Sequence, residues 1–145
     1  MPISLTHWLP WALLSAFFAA LTAITAKVGV REVDSDLATL LRAAFITLVL
    51  IPIVCLSGKW SDPRGLPTRT LLFLALSALA TGASWLCYFR ALKLGDASQV
   101  APVDKLSVVL VAILAALFLG ERPTPKDWLA ILLISGGVVL LAIRR

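Results

Sequence analysis

The chain has 145 residues, of which 60% are hydrophobic and 14% charged, and its formal charge is +5. Soluble proteins carry about 25% charged residues, so this composition excludes a water-soluble domain and leaves a polytopic membrane protein with a single helical domain over residues 1–145. The 13 Lys and Arg residues are dispersed through short connections without a basic run, which speaks against nucleic acid as a partner and for the anionic headgroups of membrane lipid.

Five apolar stretches cover residues 8–26, 37–57, 70–89, 98–119 and 128–143. A helix of about 20 residues crosses a hydrocarbon layer of roughly 30 Å, and in lipid each backbone group must be bonded within its own segment. The pattern therefore predicts an all-α bundle of five transmembrane helices over approximately 8–28, 37–57, 70–92, 98–119 and 127–143. Five crossings put the two ends of the chain on opposite sides of the membrane.

The first stretch has no Lys or Arg before it and is longer than the core of a signal peptide, so it reads as a retained helix. Ala12, Ala16, Ala19, Ala20, Ala23 and Ala26 recur at steps of one, three and four. That spacing makes either a face for close helix approach or a generic alanine-rich helix. A small acidic loop, 30–36, leads to the second stretch. Within it lies Arg42, and charges inside spans are functional candidates. Arg42 has three readings: a pair with Asp34 or Asp36, a snorkelling anchor, or a substrate contact. Lys27 and Arg90, near helix ends, read as snorkelling anchors.

The loop 58–69 holds Pro63, Gly65 and Pro67, which break helix. In the third stretch Ser77, Thr81, Ser84 and Tyr88 follow steps of four, three and four and share one face, with Trp85 at its edge. Such a stripe either bonds neighbouring helices or lines a polar path for substrate. After a tight turn at Gly95 comes the fourth stretch, with Asp104 and Lys105. In a helix starting near Ser98 they sit about 10 Å along the span, as a charged site in which Asp104 is a candidate proton carrier. If Pro102 opens the helix instead, Asp104 is an acid at its N-terminal end and Lys105 reaches the headgroups. The fifth stretch is the shortest, and Gly136 and Gly137 make it either a dimer seam or a surface for packing within the bundle. Trp8, Trp11, Trp60 and Trp128 read as an interfacial aromatic belt.

Cys55 and Cys87 lie inside apolar stretches, and the one histidine, His7, precedes the first. No metal-ligand spacing exists, so no cofactor and no metal are expected. There is no Ser–His pair, no pair of carboxylates in one span and no glycine-rich phosphate loop, and the chain is not expected to be an enzyme.

Orientation follows the Lys and Arg of short loops. Lys59, Arg64, Arg69, Arg122 and Lys126 flank the N-terminal side, while Lys27, Arg31, Arg90, Lys93, Arg144 and Arg145 flank the other. This near balance leaves two readings: a cytoplasmic C-terminus, or insertion in both orientations. In the second, an antiparallel homodimer imitates the inverted repeats of many transporters.

The order of local motifs resembles one EamA-type unit of the drug/metabolite transporter superfamily, in its small five-helix bacterial and archaeal form. The resemblance rests on the run from Ala91 to Ser98, on Ala101-Pro102-Val103, on Leu119-Gly120-Glu121-Arg122, and on Ser135-Gly136-Gly137-Val138. Lys27 ending the first helix and Leu41-Arg42-Ala43 in the second fit as well. It implies a transporter half, because larger relatives hold two such units in inverted orientation. Related small multidrug exporters carry a proton-binding glutamate eight residues before the lysine that ends helix one. Here that position is Ala19, so proton coupling by that route is not expected.

The reading that follows is a multi-pass transporter of the bacterial inner (plasma) membrane. It moves a small metabolite or amphipathic cation by alternating access as a homodimer. Asp104, Lys105 and Arg42 supply charge, and Thr81, Ser84, Tyr88 and Trp85 supply hydrogen bonds and stacking. Helices one to four line the path and Gly136 and Gly137 mark the seam. The alternatives are a subunit of a lipid-carrier flippase working with a different small partner, and a non-transporting membrane subunit.

Overall fold

The computed structural model describes residues 5–62 and 65–143, and for residues 5–7 the backbone only. Among them every regular element is helical: α1 (Leu5–Gly29), α2 (Ser35–Leu56), α3 (Thr68–Leu94), α4 (Ala97–Asp104), α5 (Ser107–Leu114), a π-helical turn (Ala115–Leu119) and α6 (Pro125–Ala142). Among the described residues five segments are long and apolar enough to cross a membrane: Trp8–Gly29, Ser35–Leu56, Thr68–Leu94, Ala97–Leu119 and Pro125–Ala142. The helices group into two compact units, divided between Leu94 and Gly95.

In the first unit, α3 packs against both α1 and α2. Asp34 starts α2 by accepting the backbone N–H groups of Asp36 and Leu37 at 2.9 and 3.3 Å, which satisfies donors that a helix start leaves open. The buried side chains are Ala23, Val30, Phe89 and Leu92, with Ser35 and Thr39. They gather where α1 ends, α2 begins and α3 ends. Of the alanine face on α1, Ala23 is buried and Ala26 half-buried, whereas Ala12, Ala16, Ala19 and Ala20 are open.

Three basic side chains tie this end together. Lys27 Nζ donates to the Leu92 carbonyl at 2.6 Å, and Lys93 Nζ to the Val33 carbonyl at 2.8 Å. Arg90 forks onto Asp36, Nε to Oδ1 at 3.0 Å and Nη2 to Oδ2 at 2.7 Å. Lys27 and Arg90 therefore bind protein groups rather than snorkelling free. Leu92 lies in the last turn of α3, where carbonyls have no partner within the helix, and a lysine satisfies one well.

In the second unit, α6 packs against α4 and α5. Thr124 and Asp127 form a reciprocal capping box at its start, with Pro125 in the first turn; this satisfies two open N–H groups. The fourth span differs from the continuous helix that its hydropathy suggests. It breaks between α4 and α5, and the bonds there tighten to three-residue spacing: Lys105 N–H to Pro102 O at 3.0 Å, Leu106 N–H to Val103 O at 3.0 Å and Val108 N–H to Lys105 O at 3.0 Å. Pro102 has no N–H to bond the carbonyl four residues back, so the turn entering the break already lacks one bond. Pro102 lies inside α4, which removes the reading in which it opens the helix and Asp104 is an acid at that helix's N-terminal end.

The span closes at Gly120, whose φ is 68°. A β-carbon there meets no atom within 4 Å, so Gly120→Ala creates no clash and isolates the backbone term. We expect it to destabilise the protein by about 1 kcal/mol, the penalty of a left-handed conformation for an L side chain, read as a lowered unfolding midpoint in detergent. An unchanged midpoint would show that the turn relaxes. Gly136 and Gly137 are exposed, and a β-carbon at either also meets nothing within 4 Å. Among the described residues of the second unit, no helix therefore packs closely against these two glycines.

Candidate substrate site

Arg42 lies seven residues beyond the start of α2, about 10 Å into the span. Its guanidinium stands over the Trp85 ring, 4.5 Å from the centroid, and 5.6 Å from that of Phe89. Trp85 and Phe89 are four apart on α3 and share a face, so both rings reach the same guanidinium. The carboxylates expected as partners are engaged elsewhere. Asp34 caps α2, and Asp36 is held by Arg90. Among the described residues no carboxylate lies within ion-pair distance of Arg42.

Two clefts flank this stack, both within the first unit. One, of about 410 Å³, is lined by Thr22, Thr25, Arg42, Phe45, Ile46 and Phe89 among others. The second, of about 570 Å³, is lined by Asp36, Thr39, Ser77, Thr81, Gly82 and Trp85 among others. Both volumes fall within the range of small-molecule sites, roughly 300–1,000 Å³. Arg42 lines the first cleft and Trp85 the second.

Part of the hydroxyl stripe of α3 faces the second cleft. Ser77 and Thr81 join Trp85 in the second cleft, whereas Ser84 and Tyr88 line neither. A step of four from Thr81 leads to Trp85, and a step of three leads to Ser84 on the flank. Thr81 Oγ1 donates to the Ser77 carbonyl at 2.8 Å, a back-bond that satisfies the hydroxyl within its own helix. Tyr88 meets Phe89 edge-on, with ring centroids 6.5 Å apart. Phe89 and Thr39 are site residues that reading the sequence passed over. Phe89 carries one legible signal, its spacing of four from Trp85.

In the second unit Lys105 Nζ lies 3.2 Å from Asp104 Oδ2, both side chains partly exposed. A regular helix points neighbours about 100° apart, so the two need not pair with each other. The break after Asp104 brings the two together instead. Among the described residues no three His, Cys, Asp or Glu side chains gather to hold a metal, and Cys55 and Cys87 are free thiols.

The model of the EamA-like transporter family matches residues 6–143. The chain belongs to that family. A protein of Sinorhizobium sp named as an uncharacterized transporter in the cobO 3' region is 60% identical over 136 residues, covering 94% of this EamA-like chain and 96% of that relative. The transporter YxxF of Bacillus subtilis is 24% identical over 135 residues, which are 93% of this chain but 42% of YxxF. A Yersinia pestis protein named as a probable 4-amino-4-deoxy-L-arabinose-phosphoundecaprenol flippase subunit, ArnE, is 31% identical over 84 residues, 57% of this chain and 74% of its own length. No solved structure matches. Family membership and five membrane-length helices make this EamA-like protein a multi-pass membrane transporter, not an enzyme.

Proposed function

We propose that this chain is a half-size EamA transporter of the bacterial inner membrane, that two copies form the working carrier, and that it moves a small metabolite by alternating access. The observation that carries this reading is one of length: the chain aligns with 96% of its Sinorhizobium relative but 42% of YxxF. One unit therefore corresponds to part of a longer carrier. The open glycine face of α6 supports a seam at Gly136 and Gly137, since small residues let membrane helices approach closely. The even distribution of loop bases supports copies in both orientations; of those bases Arg64, Arg144 and Arg145 lie outside the described residues.

The clefts beside Arg42 and Trp85, with Thr81, are the proposed substrate surface, and Asp104 with Lys105 is a second charged site. Ser84 and Tyr88 remain proposed contacts from the α3 stripe, and Tyr88 acts electrostatically on Arg42.

Liposomes containing the purified protein and loaded with a polar metabolite extract test the reading. Mass spectrometry should show particular compounds escaping faster than from protein-free vesicles, and Gly136→Ile should lower both that loss and disulfide cross-linking between cysteines introduced into α6. Equal retention of every compound overturns it. C-terminal reporters active on both sides of the membrane are the expected result for antiparallel pairs.

The resemblance to ArnE favours a second reading, a lipid-carrier flippase subunit with a different small partner. Recovery of a stoichiometric heteromer in place of a homodimer is its signature.

A further inference from the structure

We propose that Arg42, backed by Trp85 and Phe89, is the headgroup site for an amphipathic anion, a phosphate or carboxylate bearing an apolar tail. This names the substrate class within the transporter reading above and selects against the amphipathic cation. Three observations carry it. First, the guanidinium lies well inside a span, with no carboxylate in ion-pair reach among the described residues. A charge at that depth is retained where it has work to do.

Second, the guanidinium lies against two aromatic rings, Trp85 and Phe89, and forms no salt bridge among the described residues. Ring contacts consume none of the five N–H donors, which suit two oxygens of one phosphate or carboxylate; Tyr88 is the further group that acts on this charge. Third, a cationic substrate finds nothing free here. The negative faces of Trp85 and Phe89 already meet a cation, and the one acid lining either cleft, Asp36, is held by Arg90 through two bonds. The remaining lining of the Arg42 cleft includes Leu41, Phe45 and Ile46, a surface for a tail or ring.

The test reads Trp85 emission in nanodiscs of phosphatidylcholine, after Trp8, Trp11, Trp60 and Trp128 are changed to Phe so that one of the five tryptophans remains. Phenyl phosphate should change the emission saturably as the guanidinium turns toward it. Phenyltrimethylammonium, of similar size and opposite charge, should not. Arg42→Gln should weaken phenyl phosphate at least about tenfold, the loss of a charge-assisted hydrogen bond, and Arg42→Lys should weaken it less.

A second disc preparation containing phosphatidic acid separates the two sources of such an anion. If lipid phosphate occupies the site, emission is already shifted and phenyl phosphate adds nothing. If the ligand is a free solute, the titration is unchanged. Either outcome supports an anion site. Saturable binding of the ammonium probe, or phosphate binding equal in wild type and Arg42→Gln, overturns it. The unmodified Arg42 protein alone decides charge selectivity, so a misfolded variant does not rescue the proposal. Release of cationic compounds from the loaded liposomes would sink the anion assignment and leave the carrier standing. Phosphate binding without any release would do the reverse.

Discussion

Replacing Phe89 by alanine is expected to destabilise the first unit by about 3 kcal/mol, at the lower end of the usual cost for deleting a buried phenyl group. The side chain is 3% exposed, it meets Tyr88 edge-on, and it supplies the second ring under Arg42. The estimate sits low for a physical reason. Lipid tails are as apolar as a protein core, so little water-to-core transfer is at stake. What is lost is dispersion contact across a cavity that the helices close incompletely. Unfolding in detergent, followed by helicity, should show a clear drop in midpoint. Leu94→Ala is the control, because Leu94 is 89% exposed and a surface truncation of this kind changes stability by no more than about 0.5 kcal/mol. Equal midpoints for the two variants would mean that Phe89 is not part of the core.

The five spans were legible because hydropathy and length determine them almost alone; neither needs knowledge of neighbours. The site was legible only in pieces. Arg42 and Trp85 each stood out, one as a charge in a span and the other as a deep aromatic. Their stacking depends on the register of α2 against α3, which no local pattern encodes. Proximity in sequence pointed instead to Asp34 and Asp36 as partners of Arg42. Asp34 is committed to its own helix start, and Asp36 faces Arg90 from across the α2–α3 contact. Likewise, Ser77, Thr81, Ser84 and Tyr88 obey helical periodicity, yet a helix face is wide, and packing decides which edge of it lines a cleft. The break after Asp104 was illegible for a different reason. Proline is tolerated inside membrane helices because other groups make good the lost bond, so Pro102 alone does not say whether the helix runs on or bends.

That break makes the charge pair beside it the most informative pair to mutate. Asp104→Asn is expected to lower transport roughly tenfold or more, as replacing a functional charge within a span should. A single variant does not separate two causes, because it also leaves Lys105 without its partner at 3.2 Å. The double variant Asp104→Asn, Lys105→Gln separates them, since the cycle isolates the coupling between neighbours. If the pair only neutralises its own charge within the bend, removing both members restores stability and flux together. If Asp104 itself takes part in movement, stability returns while flux stays lost. We expect the second outcome. Asp104 is the sole carboxylate within the span Ala97–Leu119, whereas Asp127 is engaged in capping α6 and Asp36 is held by Arg90. Asp104 is also paired, but with its sequence neighbour at the break and at a longer 3.2 Å, so it is the acid in these spans best placed to respond to a passing substrate or proton. Full flux in the double variant would reduce the pair to a structural device of the bend, and coupling would then have to rest on Arg42 and the clefts of the first unit.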